Sequence, residues 1–126
     1  MEKIKKISVE QLRTHNKPSQ RTILWHGIAV TIRYLLPIKE VTLFVNSVMD
    51  GCYDKAHDVF IPEMMDFAFR VNIVTRYACV DLPQDIEEQY EILYNTDIFD
   101  TIASAINTAQ MQSIKDTIYA LMFKAK

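Results

Sequence analysis

A chain of 126 residues, 49% hydrophobic and 24% charged, has the size and composition of one globular domain, enough to bury roughly two thirds of its unfolded surface. Two glycines and four prolines favour long regular elements, and no apolar run approaches the ~20 residues of a membrane-spanning helix. The net charge of −2 is unevenly spread: residues 1–21 carry six basic side chains against Glu2 and Glu10, whereas residues 81–114 carry seven acids and no Lys or Arg.

The first 21 residues form a basic arm. MEKIKKISVEQ has charge but no apolar core behind it, so it does not read as a secretory signal, and synthesis and residence in a cytosol are expected. Ser8 and Gln11 stand at capping-box spacing, predicting a short helix over 9–15, and Asn16–Gln20 reads as a linker. The remainder, 22–126, is expected to be a single domain with a hairpin at 22–35 and a helical body at 38–124.

In the hairpin, Ile23–Trp25 and Ile28–Tyr34 flank His26-Gly27, and Gly27 sits where a two-residue turn needs positive φ. Ile28, Val30 and Ile32 alternate with Ala29, Thr31 and Arg33, the period of a half-buried strand. Trp25 and Tyr34 are the expected anchors. The second strand is expected to be a free edge on which Arg33 discourages indiscriminate pairing.

Four to five helices should follow, so the expected class is mainly α with one small hairpin (α+β). Val41, Phe44, Val45 and Val48 predict a helix over 38–50, with Gly51 as a C′ terminator. Cys52–Ile61 reads as a polar connection. Pro62 then starts a helix over 62–80 that is apolar on nearly all sides and hence central, with Arg70 and Arg76 reaching the surface or pairing with the acidic segment. Asp81-Leu82-Pro83 breaks it. A helix over 84–95 should turn Ile86, Tyr90, Leu93 and Tyr94 inward; Asn95-Thr96-Asp97 restarts another that carries Ile98, Ile102 and Ile106. Asn107 and Gln110 have capping-box spacing before a last helix with a Met111, Ile114, Ile118 and Leu121 stripe.

No phosphate-binding loop, nucleophile elbow or zinc-protease motif is present, and no nucleophile–base pair is evident; no catalytic, cofactor or metal site is assigned, and an enzyme is not expected. His15, His26 and His57 lack ligand spacing to any Cys, His or acid on a helix. Cys52 and Cys79 read as small hydrophobic residues of a reducing compartment. The arm lacks interleaved aromatics and the body is acidic, so direct nucleic-acid binding is not expected.

The residues left for function are surface residues. Glu87, Glu88 and Glu91 form an acidic helical face, either simply solvated or a docking site for a basic partner. Tyr119 and Phe123 fall off the stripe of the last helix and make its apolar excess a candidate partner patch. Arg33 on the hairpin and Lys3, Lys5 and Lys6 on the arm complete the set, the arm being expected to reach the acidic 81–100 face of a neighbouring copy.

The succession of elements resembles small proteins from the structural gene blocks of tailed bacteriophages of Firmicutes-type hosts. The resemblance is carried by ISVEQL in the arm, WHGIAVTI in the hairpin, Leu36-Pro37-Ile38-Lys39-Glu40 leading into a helix, Phe60-Ile61-Pro62, Arg76-Tyr77-Ala78 and Asp81-Leu82-Pro83. The nearest type is similar to tail assembly chaperones, in which a hairpin with a central glycine precedes a helical body. What the resemblance implies is a non-enzymatic assembly or virion protein, a tail chaperone or a head–tail component. It would act in the bacterial host cytoplasm or the virion through contacts with itself, as a homo-oligomer, or with phage structural proteins. The alternative is a phage-encoded inhibitor whose acidic helices mimic nucleic acid in a host defence nuclease.

Overall fold

The computed structural model describes residues 4–124. In chain order the elements are α1 (Val9–Thr14), β1 (Gln20–Trp25), β2 (Ile28–Arg33), α2 (Ile38–Gly51), β3 (Tyr53–Asp54), β4 (Val59–Phe60), α3 (Pro62–Tyr77), α4 (Ile86–Asn95), α5 (Ile98–Ala103) and α6 (Thr108–Lys124). The architecture is mainly helical α+β: a short helix, a hairpin, and five further helices with a second small hairpin between α2 and α3. No helix among the described residues is long and apolar enough to cross a membrane.

The capping box at α1 forms as the spacing predicts: Ser8 Oγ accepts from the Gln11 amide at 3.1 Å, and Gln11 Oε1 accepts from the Ser8 amide at 2.9 Å. The first hairpin pairs Trp25 with Ile28 and Ile23 with Val30 around a two-residue turn. Both turn residues are left-handed, His26 at φ 48° and Gly27 at φ 79°, as a type I′ turn requires. Val30 and Ile32 are buried, whereas Ile28, beside the turn, is 58% exposed.

The second strand is not a free edge. Ala78 bridges to Ile32, and the Cys79 amide donates to the Thr31 carbonyl at 3.0 Å, so the chain leaving α3 covers β2 and the open edge of the sheet is that of β1. This bridging also ends α3 at Tyr77 instead of residue 80, since Ala78 turns extended to reach the strand.

α3 packs against α2, α4 and α5, and α6, packed on α2, also reaches it through Lys115 over the Phe69 ring and Gln110 on the Tyr77 hydroxyl, which makes α3 the central helix that its all-round hydrophobicity predicts. Phe44 of α2 lies edge-on to Phe69 (5.5 Å between centroids) and Tyr77 (6.5 Å) of α3. Gly51 is not a left-handed terminator. It is the last helical residue of α2, and a Cβ there would stand 3.2 Å from that of Ala68, so its missing side chain lets α2 approach α3 closely.

Four inward-facing assignments shift. Ile86, Tyr90 and Tyr94 of α4 are exposed and Leu93 alone of that helix is buried. In α6 the buried stripe runs Ile114, Ile118, Met122, and Leu121 is exposed, because the helix keeps its i, i+4 rows against α2. Arg70 and Arg76 do not pair with the acidic segment. Arg70 bonds Asp66 at 2.9 Å and lies over the Tyr94 and Phe99 rings, while Arg76 donates to buried Asn72.

Candidate functional site

The stretch from Cys52 to Ile61, expected as a plain connection, folds into β3–β4, pairing Tyr53 with Phe60 and Asp54 with Val59. Asp54 holds the intervening loop by accepting from the Ala56 amide (3.0 Å) and contacting His57 Nδ1 (2.7 Å). Asp58 adopts φ 54°, a left-handed conformation that aspartate tolerates, and accepts from the Tyr53 hydroxyl, which shields that phenol from losing its proton. The hairpin is thus a small rigid flap of Tyr53, Val59 and Phe60, its two rings 5.2 Å apart.

The flap faces the end of α6. Between them lies a groove of about 560 Å³ whose walls include Val59, Phe60, Met65, Tyr119, Met122 and Phe123, with Asp58 contributing its charge. Tyr119 and Phe123 stack with planes 9° apart and are 40% and 62% exposed. The apolar patch expected on α6 is therefore one wall of a concave site. The flap that makes the other wall was missed because two-residue strands leave no periodic signal. The Tyr-Asp and Val-Phe pairs around a four-residue polar loop are the trace that was available.

The opposite end of α6 is fully engaged. Asn107 accepts from the Gln110 amide (2.8 Å), but the Gln110 side chain does not return the bond as a capping box would. Instead its Oε1 accepts from the Leu36 amide (2.8 Å) and the Tyr77 hydroxyl (2.6 Å), and its Nε2 donates to the Leu36 carbonyl (2.9 Å). Tyr77 is wholly buried, and that burial drives its pKa well above the ordinary phenol range.

Arg33 lies in this engaged region and not on a docking edge. It forms a two-pronged ion pair with Glu40, one prong at 2.9 Å, and donates to the Arg76 carbonyl from Nε (3.2 Å) and Nη2 (2.5 Å). It thereby ties β2 to the first turn of α2 and the last turn of α3; Glu40 is held below the usual carboxylate range by this bond. At the hairpin tip, half-buried Trp25 donates to Asp97 at 2.7 Å, with His26 Nε2 at 3.0 Å, and Asp97 is lowered for the same reason, the indole bond first. Asp97 thus stands at the N-cap of α5 while its side chain clamps the hairpin and makes no cap bond.

Among the described residues of the arm, the linker is the part fastened to the body. Residues 16–19 lie along Tyr34–Pro37 and Asn107, the Tyr34 amide donates to Ser19, and Lys17 and Arg21 both stand over the Tyr34 ring. Beyond it α1 buries no residue, and Ile4 (95%), Ile7 (69%) and Leu12 are exposed, as are Lys5 and Lys6. Lys3 lies outside the described residues. Glu87, Glu88 and Glu91 are exposed on α4 and enter none of the five ion pairs among the described residues. Cys52 is buried, which raises its thiol pKa, whereas Cys79 is exposed, against the expectation of a core residue.

Comparison with protein-family models, curated proteins and solved structures finds no match to this chain.

Proposed function

We propose that the chain is a non-enzymatic bacteriophage assembly or virion protein, a tail assembly chaperone or head–tail component, that acts through protein–protein contacts. The observation that carries this reading is the pairing, in one small molecule, of an apolar groove with an arm whose isoleucines and leucine are exposed among the described residues. Contiguous exposed apolar surface of this kind marks a contact with another chain. The resemblance of the element order to tail proteins supplies the biological setting. A nonsense mutation in the gene, within the phage genome that carries it, tests the setting. On a suppressor-free host the expected yield is particles without tails, or heads and tails that fail to join, in negative-stain micrographs. Normal infectious particles would overturn the reading.

A second reading is supported by the unpaired acids of α4: Glu87, Glu88 and Glu91 project from one short helix without basic partners among the described residues. Such a face suits a nucleic-acid mimic that inhibits a host defence nuclease. Reversal to lysine at all three positions is expected to abolish protection of DNA from the nuclease under that reading. It should leave an apolar assembly contact nearly intact.

A further inference from the structure

We infer that the groove between β3–β4 and α6 seats the N-terminal arm of a second copy of this chain. The inference rests on the protein-contact reading above and specifies the partner within it. Three features of the molecule converge on this occupant.

The first is matched deficiency. The arm leaves Ile4 and Ile7 exposed among the described residues, while the groove exposes Val59, Tyr119 and Phe123 around a concavity of about 560 Å³. That volume lies in the range, roughly 300–1,000 Å³, of pockets that enclose a few chemical groups, so it admits side chains of an extended segment and not a whole helix. Residues 4–8 are such a segment, without helix or strand of their own.

The second is charge. Lys5 and Lys6 sit between the two isoleucines, and Asp58 is the carboxylate on the groove. An isoleucine placed against Phe60 and Phe123 keeps the lysine two positions away on the same face of the extended segment (Lys6 for Ile4, Lys5 for Ile7), where Asp58 and the ring faces attract a cation. This places the arm at a different surface from the acidic 81–100 face that the charge pattern by itself suggested.

The third is position. The linker of the arm is fastened beside Asn107, at the start of α6, and the groove lies at its end. A helix of 17 residues is about 25 Å long, so the arm's point of attachment and the groove lie at opposite ends of α6. An arm rooted at one end and a complementary groove at the other make a head-to-tail contact between copies, which propagates into a ring or an open chain.

Light scattering after size exclusion, with Ile7→Asp and Val59→Asp in the full chain, tests this. Both positions are exposed, so the variants are expected to melt like the wild type. The wild type is expected to associate as its concentration rises, and each variant by itself to associate roughly thirtyfold more weakly, the loss of one buried isoleucine or its valine counterpart. Mixing the two variants decides the pairing: Ile7→Asp keeps an intact groove and Val59→Asp an intact arm, so they should form a one-to-one complex and stop there. A wild type that stays monomeric, or a mixture that stays monomeric, overturns the inference. So does wild-type-like association of either variant by itself, which would leave the broader assembly reading to the nonsense mutant.

Discussion

The two ends of α6 are built on opposite principles. At its start, every polar group that packing buries has been given a partner: Gln110 satisfies both backbone groups of Leu36 and the hydroxyl of Tyr77, and no buried side-chain nitrogen or oxygen among the described residues is left unbonded. At its end, Tyr119 and Phe123 expose aromatic surface to a groove that the described residues leave open. The difference teaches how a small domain divides its work. Leaving a buried polar group unbonded costs about 1–3 kcal/mol, so the first end is intolerant of change, whereas exposed aromatic surface costs the fold little and remains for contact.

Gln110→Ala should separate the two ends most sharply. It strands the Tyr77 hydroxyl and the Leu36 amide and carbonyl together, and the expected loss is about 3 kcal/mol, a Tm lower by roughly 10 °C in thermal unfolding. A melt within a degree or two of the wild type would show that the hub does not bear the fold's stability. Arg33→Ala removes the link from β2 to Glu40 and the Arg76 carbonyl. Because the side chain is about one-third exposed, solvent offsets part of the loss, and about 1 kcal/mol is expected in chemical denaturation. Its association with other copies should stay at the wild-type level, since the guanidinium serves the fold. Weakened association with unchanged stability would return Arg33 to the interface. Tyr119→Ser should be smallest in stability, within about 1 kcal/mol, and it should lower association. A destabilisation as large as that of Gln110→Ala would erase the contrast between the two ends.

Local signals carried far in this chain. The Ser8/Gln11 capping box, the His26-Gly27 turn, Pro62 at the start of α3 and the apolar rows of α2 and α3 all depend on residues a few positions apart, so pattern and spacing suffice to place them. Candidate functional residues were legible as types and illegible as partners. Tyr119 and Phe123 stand out as surplus hydrophobic residues on α6. That they face Val59 and Phe60 depends on the flap, whose strands of two residues show no alternation. Arg33 has the look of an edge charge, and its actual bonds to Glu40 and to the Arg76 carbonyl, 43 positions away, are set by the docking of α2 and α3. Gln110 has the spacing of a cap, and the hub it forms draws on Leu36, 74 positions distant.

The sequence by itself determined the helical class, the first hairpin and its turn, the central place of α3 and the concentration of basic residues in the first 21 positions. Each follows from hydrophobic period, turn chemistry or charge within a short span. Only the tertiary structure decided that the chain after α3 closes the β2 edge, that Gln110 locks one end of α6, and that a flap completes a groove at the other. Those outcomes depend on which backbone groups remain unbonded once the helices pack, and long-range packing leaves no periodic mark in the order of residues.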